Sequence, residues 1–443
     1  MTTIPSLKIG AALGTLTFLL SPLAYAGSSE SKEVVSTPDL TESLCGRRLL
    51  GDVGGLRRPE ETGIDFRLEA TNFYHGMLGG DPGLLSADDD DLTFAGKFDL
   101  FVNIDGQKAG LWPGLFINIH GEYRYGDNTN QGGVLSPVNT ALLSPQTGGE
   151  AFALTNVTIT QAFSESFLIT LGKFNTIDLV DKLYYGGHGR SRFMNGSLTV
   201  MPIGGRTLPI SSLGVVGTVL KDSRPFVNFG VMDSISPTSS PGWDGLRSDE
   251  MTFFGDITFH SDWDGRPGSH SFGASYSTIE VSSLDQSDII RPPSLGGTTP
   301  NVANDSWQIN YLWEQSLTRN PSAPGRGWGT FLFLALSDGD PNPFQYSAAA
   351  GLVANGVCSA RPCDSLGLGL FYNGVGNELK DTLSLPSLSG RGIALGDEFG
   401  AEIYYDFAVT DWFRLTLDLQ VIEAVLEDND TAIFGGLRSR IIF

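Results

Sequence analysis

Charged and polar side chains recur in this chain at every second position, a spacing suited to contacting a solute along a wall. Asp65, Arg67 and Glu69 follow this rule, as do Lys97 and Asp99, then His120, Glu122 and Arg124. Arg414 and Asp418, and then Arg438 and Arg440, repeat it near the end of the chain. Residues two apart on an extended backbone project to one face, so each segment offers donors and acceptors of both signs. Mixed signs avoid a net field that would exclude or trap ions, whereas a phosphate pathway would show a ladder of Arg and Lys. The stretch 174–208 adds Asp178, Asp181, Lys182, Tyr184, Tyr185, His188, Arg190 and Arg192. Its adjacent tyrosines and alternating charges offer stacking faces and hydrogen bonds to a solute; the other reading is a loop packed on its neighbours.

Catalytic signatures are missing. There is no H-E-x-x-H, no G-x-S-x-G, no P-loop and no dinucleotide fingerprint, so no enzyme, metal or cofactor is expected. A glycosidase needs only two spaced carboxylates, which keeps a secreted all-β carbohydrate-active enzyme as a rival. Asp88–Asp91 reads either as a divalent-cation site near lipopolysaccharide or as a solvated acidic loop. Cys358 and Cys363, in CSARPC, are expected to close a local disulfide in an oxidising compartment, leaving Cys45 over. Zinc would need further ligands nearby.

The elements that carry these residues alternate with period two. In Phe413–Ile422, Phe413, Leu415, Leu417, Leu419 and Val421 share one face, opposite Arg414, Thr416, Asp418 and Gln420. Leu92, Phe94, Phe98, Leu100, Val102 and Ile104 likewise oppose Lys97, Asp99 and Asn103. Such segments run to roughly ten to thirteen residues, longer than the ~5–6 of an average soluble strand and suited to the ~9–11 of a tilted membrane-spanning strand. Trp112, Tyr125, Trp328 and Trp412 stand near segment ends, as interfacial girdles require. Very short turns at Ser164-Glu165, Lys221-Asp222-Ser223 and Thr410-Asp411 interleave with long polar stretches at 74–91, 126–150, 174–208, 233–249 and 282–304. Short turns at one end and long loops at the other define a transmembrane antiparallel β-barrel with periplasmic turns and extracellular loops. With residues 344–353 read as a strand, strict alternation gives sixteen strands and places the Cys358–Cys363 loop on the periplasmic side.

Composition agrees. Lys and Arg number 28 against 50 Asp and Glu, a formal charge of −22, which excludes the basic face of a nucleic-acid binder. Apolar residues at 40% exclude a disordered chain. Residues 1–26 read as a signal peptide, with Lys8, the apolar run Ile9–Leu20 and an Ala24-Tyr25-Ala26 cleavage site. Residues 27–62 read as a periplasmic segment and 63–443 as the barrel.

Several segments together resemble the carbohydrate-selective outer-membrane porin family of OprB type, from about Leu49 to Phe443. They are LLGDVGGLRRPEETGI (49–64), GKFNTID (172–178), SDGDPNPF (337–344), DLQVI (418–422) and GLRSRIIF (436–443). Val53 stands where the family's Trp is expected, and Leu417 where a Pro is expected. The resemblance implies a passive sugar channel in the bacterial outer membrane, assembled as a homotrimer among lipid and lipopolysaccharide. A general or weakly ion-selective porin is the alternative. The apolar, alternating C-terminus ending on Phe443 resembles the signal read by the barrel-assembly machinery, with Ile433, Leu437, Ile441 and Phe443 toward lipid and Arg438 and Arg440 toward the lumen.

Overall fold

The computed structural model describes residues 45, 48–50, 62–80, 92–127, 130, 134–145, 151–180, 182–200, 202–205, 207–234, 249–286, 300–320, 325–385 and 392–443. The expected signal peptide, the Asp88–Asp91 run and Asp181 lie outside the described residues. Sixteen antiparallel strands close a barrel. The first half comprises β1 (Ile64–Gly79), β2 (Thr93–Asp105), β3 (Leu115–Gly126), β4 (Ala151–Ala162), β5 (Phe167–Asn175), β6 (Ser211–Lys221), β7 (Arg224–Asp233) and β8 (Met251–Asp262). The second comprises β9 (Pro267–Ser277), β12 (Ser306–Ser316), β13 (Gly327–Ser337), β14 (Phe344–Asn355), β15 (Ser365–Val375), β16 (Glu398–Ala408), β17 (Phe413–Glu423) and β18 (Ala432–Ile442). A separate ribbon, β10 (Val281–Ser282) with β11 (Val302–Ala303), lies in the connection between β9 and β12.

Closure is made by the first and last strands, with Glu69 opposite Ile442 and Gly76 opposite Gly435. Every barrel strand is thereby paired on both edges, as a hydrocarbon environment demands. The final Phe443 donates its N–H to Leu68 O at 2.8 Å, so pairing runs to the last residue. No described helix is long and apolar enough to cross a membrane; the strands do so, with their apolar side chains outside. On β17, Leu417, Leu419 and Val421 are exposed while Thr416, Asp418 and Gln420 are buried. This inversion of a soluble protein's pattern identifies a lipid-facing exterior. On β18, Ile433 and Leu437 are exposed, and Arg438 is buried inside.

The tight turns gather at the end where β1 begins and β18 finishes. Asp222 and Ser223 have φ of 52° and 58°, the paired left-handed conformation whose twist matches a two-residue hairpin. Trp112, Phe163, Trp263 and Trp328 are exposed near this end, and Tyr276, Trp307, Tyr346, Tyr372 and Phe399 near the other, as two interfacial belts. The tight-turn end is the periplasmic one by the same rule.

The expected local disulfide is corrected. Cys363 bonds Cys45, 318 residues away in sequence, with Cα atoms 5.4 Å apart, and Cys358 is a free, exposed thiol. The CSARPC segment is the turn between β14 and β15. Its backbone bridge from Cys358 to Arg361 makes a tight turn with Cys358 outside, whereas Cys363 lies beside Cys45 at the lumen wall.

A channel narrowed by two inward loops

Sixteen strands enclose more space than wall side chains can fill. Here the described parts of the loops at 127–150 and 176–210 enter that space and pack on one side of it. The reason lies in a run of inward residues on β13, β14 and β15 that are glycine, alanine or aromatic, among them Gly329, Phe331, Phe333, Ala335, Ala349, Gly351, Gly367, Gly369 and Phe371. Tyr184, Tyr185, Phe193, Leu198 and Ile203 of the second inward loop join Phe331, Phe333 and Phe371 in one buried apolar cluster. A Cβ added at Gly329 would stand 2.0 Å from the Tyr184 ring, and one at Gly369 2.7 Å from Leu198. The glycines are therefore the sockets for the loop.

Buried wall carboxylates hold the loop backbones. Glu314 Oε2 accepts the Leu183 N–H at 2.9 Å, and its Oε1 accepts those of Tyr184 and Tyr185 at 2.7 and 2.5 Å. Glu402 accepts from Met194 and Asn195 at 2.6 and 2.8 Å, and Glu398 from Leu135 and Ser136 at 2.6 and 3.1 Å. In the opposite sense, Arg438 donates to Gly189 O and Arg192 O at 2.9 and 2.7 Å. Charge-assisted bonds of this kind are the strong class.

Among the described residues an opening of about 620 Å³ is left beside the loops. On its wall, small neutral groups alternate with charges; Asn103, Asn118, Thr160, Thr170, Thr218 and Asn228 are among them. At β1–β3 and β18 the charges converge. Arg440 grips Glu69 with two bonds of 2.9 and 2.8 Å, and Arg67 stands 3.2 Å from the same carboxylate. Asp99 meets Lys97 at 3.2 Å, Arg190 at 3.3 Å and His120 Nε2 at 3.0 Å. His120 Nδ1 reaches Asp178 of the inward loop at 2.7 Å. Burial pushes the Asp178 carboxyl up, but the His120 ring, together with His188 and Arg190, outweighs it and holds the group below the usual carboxylate range. At the centre lies Phe101, with His120 stacked at 4.1 Å and the guanidinium carbons of Arg67 and Arg190 at 4.5 and 5.1 Å from its centroid. Asp99, His120 and Glu122 have metal-like proximity, within 4.8 Å. Lys97, bonded to both Asp99 and Glu122, already supplies the positive charge there.

Of the residues singled out in the sequence, Arg67, Glu69, His120, Asp178, Lys182, His188, Arg190, Arg192, Arg414 and Arg440 line the passage. The expectation for Tyr184 and Tyr185 is corrected: both are buried completely in the apolar cluster and have no face toward a solute. Arg438 is spent on the loop backbone, Arg124 on Leu142 O at 2.7 Å, and Asp418 lies buried 3.5 Å from His75. Sequence reasoning missed Phe101, whose inward position follows from counting two on from Asp99. It also missed the anchoring glutamates. A usable signal was present: inward positions occupied by Gly and Phe in place of polar residues announce a wall that something packs against.

A closed barrel with an apolar exterior, inward-folded loops and a polar residual passage defines an outer-membrane porin. The family model for the carbohydrate-selective porin, OprB family, matches residues 89–443. Porin B of Pseudomonas aeruginosa is 23% identical over 431 residues, covering 89% of this chain and 91% of that protein. The high-pH structure of Pseudomonas putida OprB superposes with a TM-score of 0.77 at 21% identity, covering 90% of this chain and 99% of that one. Its low-pH structure gives 0.55 at 19% identity with the same coverage. The chain belongs to the OprB family of carbohydrate-selective porins, and it is a passive carbohydrate channel of the bacterial outer membrane.

Proposed function

We propose that mono- and small oligosaccharides cross by exchanging hydrogen bonds with Arg67, Glu69, His120, Arg190, Arg192, Arg414 and Arg440 as they pass the inward loop. The observation that supports this is the balance of the cluster: Glu69 faces two guanidinium groups, and Asp99 faces an ammonium, a guanidinium and an imidazole. Charges neutralised in place leave lone pairs and N–H groups for hydroxyls without a ring of one sign. Liposome swelling tests it. Arg67→Ala and Arg190→Ala should each change glucose entry several-fold, and unchanged rates in both would refute the assignment. A weakly ion-selective general porin would instead respond in its reversal potential alone. Export through residues 1–26, recognition of β18 by the barrel-assembly machinery, and a homotrimer embedded among lipopolysaccharide complete the proposal. Sedimentation in detergent distinguishes three copies from one.

A further inference from the structure

The passage has another charged pair, far around the wall from the cluster at β1–β3. Lys182 comes from the inward loop and Asp256 from β8, and both line the opening. Lys182 is held by a rigid turn: its N–H donates to Tyr185 O at 3.0 Å, its carbonyl accepts from Arg192 at 2.8 Å, and the next three N–H groups are bound by Glu314. Its ammonium extends from the loop to the barrel wall, where it meets Ser271 Oγ on β9 at 3.5 Å. Asp256 is also fixed. The Asn228 amide donates to both of its oxygens at 3.1 Å, and Thr258 lies 3.5 Å away. Lys182 acts on Asp256 electrostatically, yet no ion pair joins them among the described residues.

We propose that Lys182 and Asp256 form a second sugar-contact station, which holds one polyol through hydroxyls on two sides. An ammonium has three donors, and the long contact to Ser271 engages one of them. A carboxylate accepts at about four lone-pair sites, and Asn228 leaves part of that capacity open. A hydroxyl both accepts and donates, so a sugar edge satisfies both groups at once. Asn228, Ser271, Thr218 and Asn310 surround them with neutral partners. The pair also sorts by charge: an acidic sugar is drawn to Lys182 and repelled by Asp256. This inference rests on the reading of the lumen as the sugar path.

The test uses the full-length protein in planar bilayers, with glucose and gluconate as probes and sugar-induced block of ion current as the readout. One hydrogen bond of about 1 kcal/mol corresponds to about five-fold in affinity. Lys182→Met and Asp256→Asn should each weaken glucose block about five-fold, and the double variant should be little worse than the weaker single one. Asp256→Asn should favour gluconate over glucose, and Lys182→Met should do the opposite. Heat-modifiable gel migration confirms that each variant is a folded barrel. Unchanged glucose block and unchanged gluconate preference in both variants, with Arg67→Ala still altering block, would overturn the station alone. Absence of any sugar block in the parent protein would overturn the underlying reading as well.

Discussion

Several wall groups hold the inward loop, and Glu314 is the one whose removal has the most readable consequence. Its carboxylate takes three consecutive backbone N–H groups, from Leu183, Tyr184 and Tyr185. Glu314→Ala leaves all three without that acceptor, at about 1–3 kcal/mol each when buried. Leu183 is only half-buried, and the low end for all three gives about 3 kcal/mol in all. That is a factor of about 100 in the ratio of docked to released turn. Tyr184 and Tyr185 remain in their apolar sockets, and Glu402 and Arg438 still hold the later part of the loop. The turn therefore loosens without the whole loop leaving. Glu314→Gln keeps one carbonyl oxygen and should fall between parent and alanine variant. In single-channel recordings the alanine variant should show higher conductance and more open-channel noise. Liposome swelling should show trisaccharides gaining on glucose. A folded Glu314→Ala barrel with parent conductance, noise and size cut-off would refute the claim that these bonds set the width.

Overpacking against Tyr184 in Gly329→Val should cost about 1–3 kcal/mol and lower the unfolding temperature seen by heat-modifiable migration; Leu334→Val, on the exposed outer face of the same strand, serves as the control. Non-reducing digestion and mass spectrometry should yield a peptide joining Cys45 to Cys363, with Cys358 open to maleimide before reduction; a Cys358–Cys363 peptide would contradict the structure. Deleting Phe443, whose N–H completes the β1–β18 seam, should reduce the amount inserted in the outer membrane while leaving the conductance of inserted molecules unchanged.

The wall was readable because its signals are local. Alternation in Phe413–Glu423 states which face meets lipid, and Asp222-Ser223 states where two strands reverse. Closure through Ala432–Ile442 is legible because the terminal segment alternates up to its last residue. The interior was less legible, because it depends on partners distant in sequence. Nothing local in Tyr184-Tyr185 says that their rings fill sockets made by Gly329 and its neighbours, or that Glu314, some 130 residues on, binds their amides. The same holds for Cys45, which the 318-residue separation from Cys363 made look unpaired. Charges at alternate positions located the lumen face correctly, yet could not tell Arg440, which lines the passage, from Arg438, which anchors the loop.

Selectivity for carbohydrate over other small polar solutes is the central claim, and comparative liposome swelling measures it directly. Purified protein should admit glucose faster than a size-matched amino acid, with the rate falling for larger saccharides. Equal rates for size-matched sugars and amino acids would contradict it.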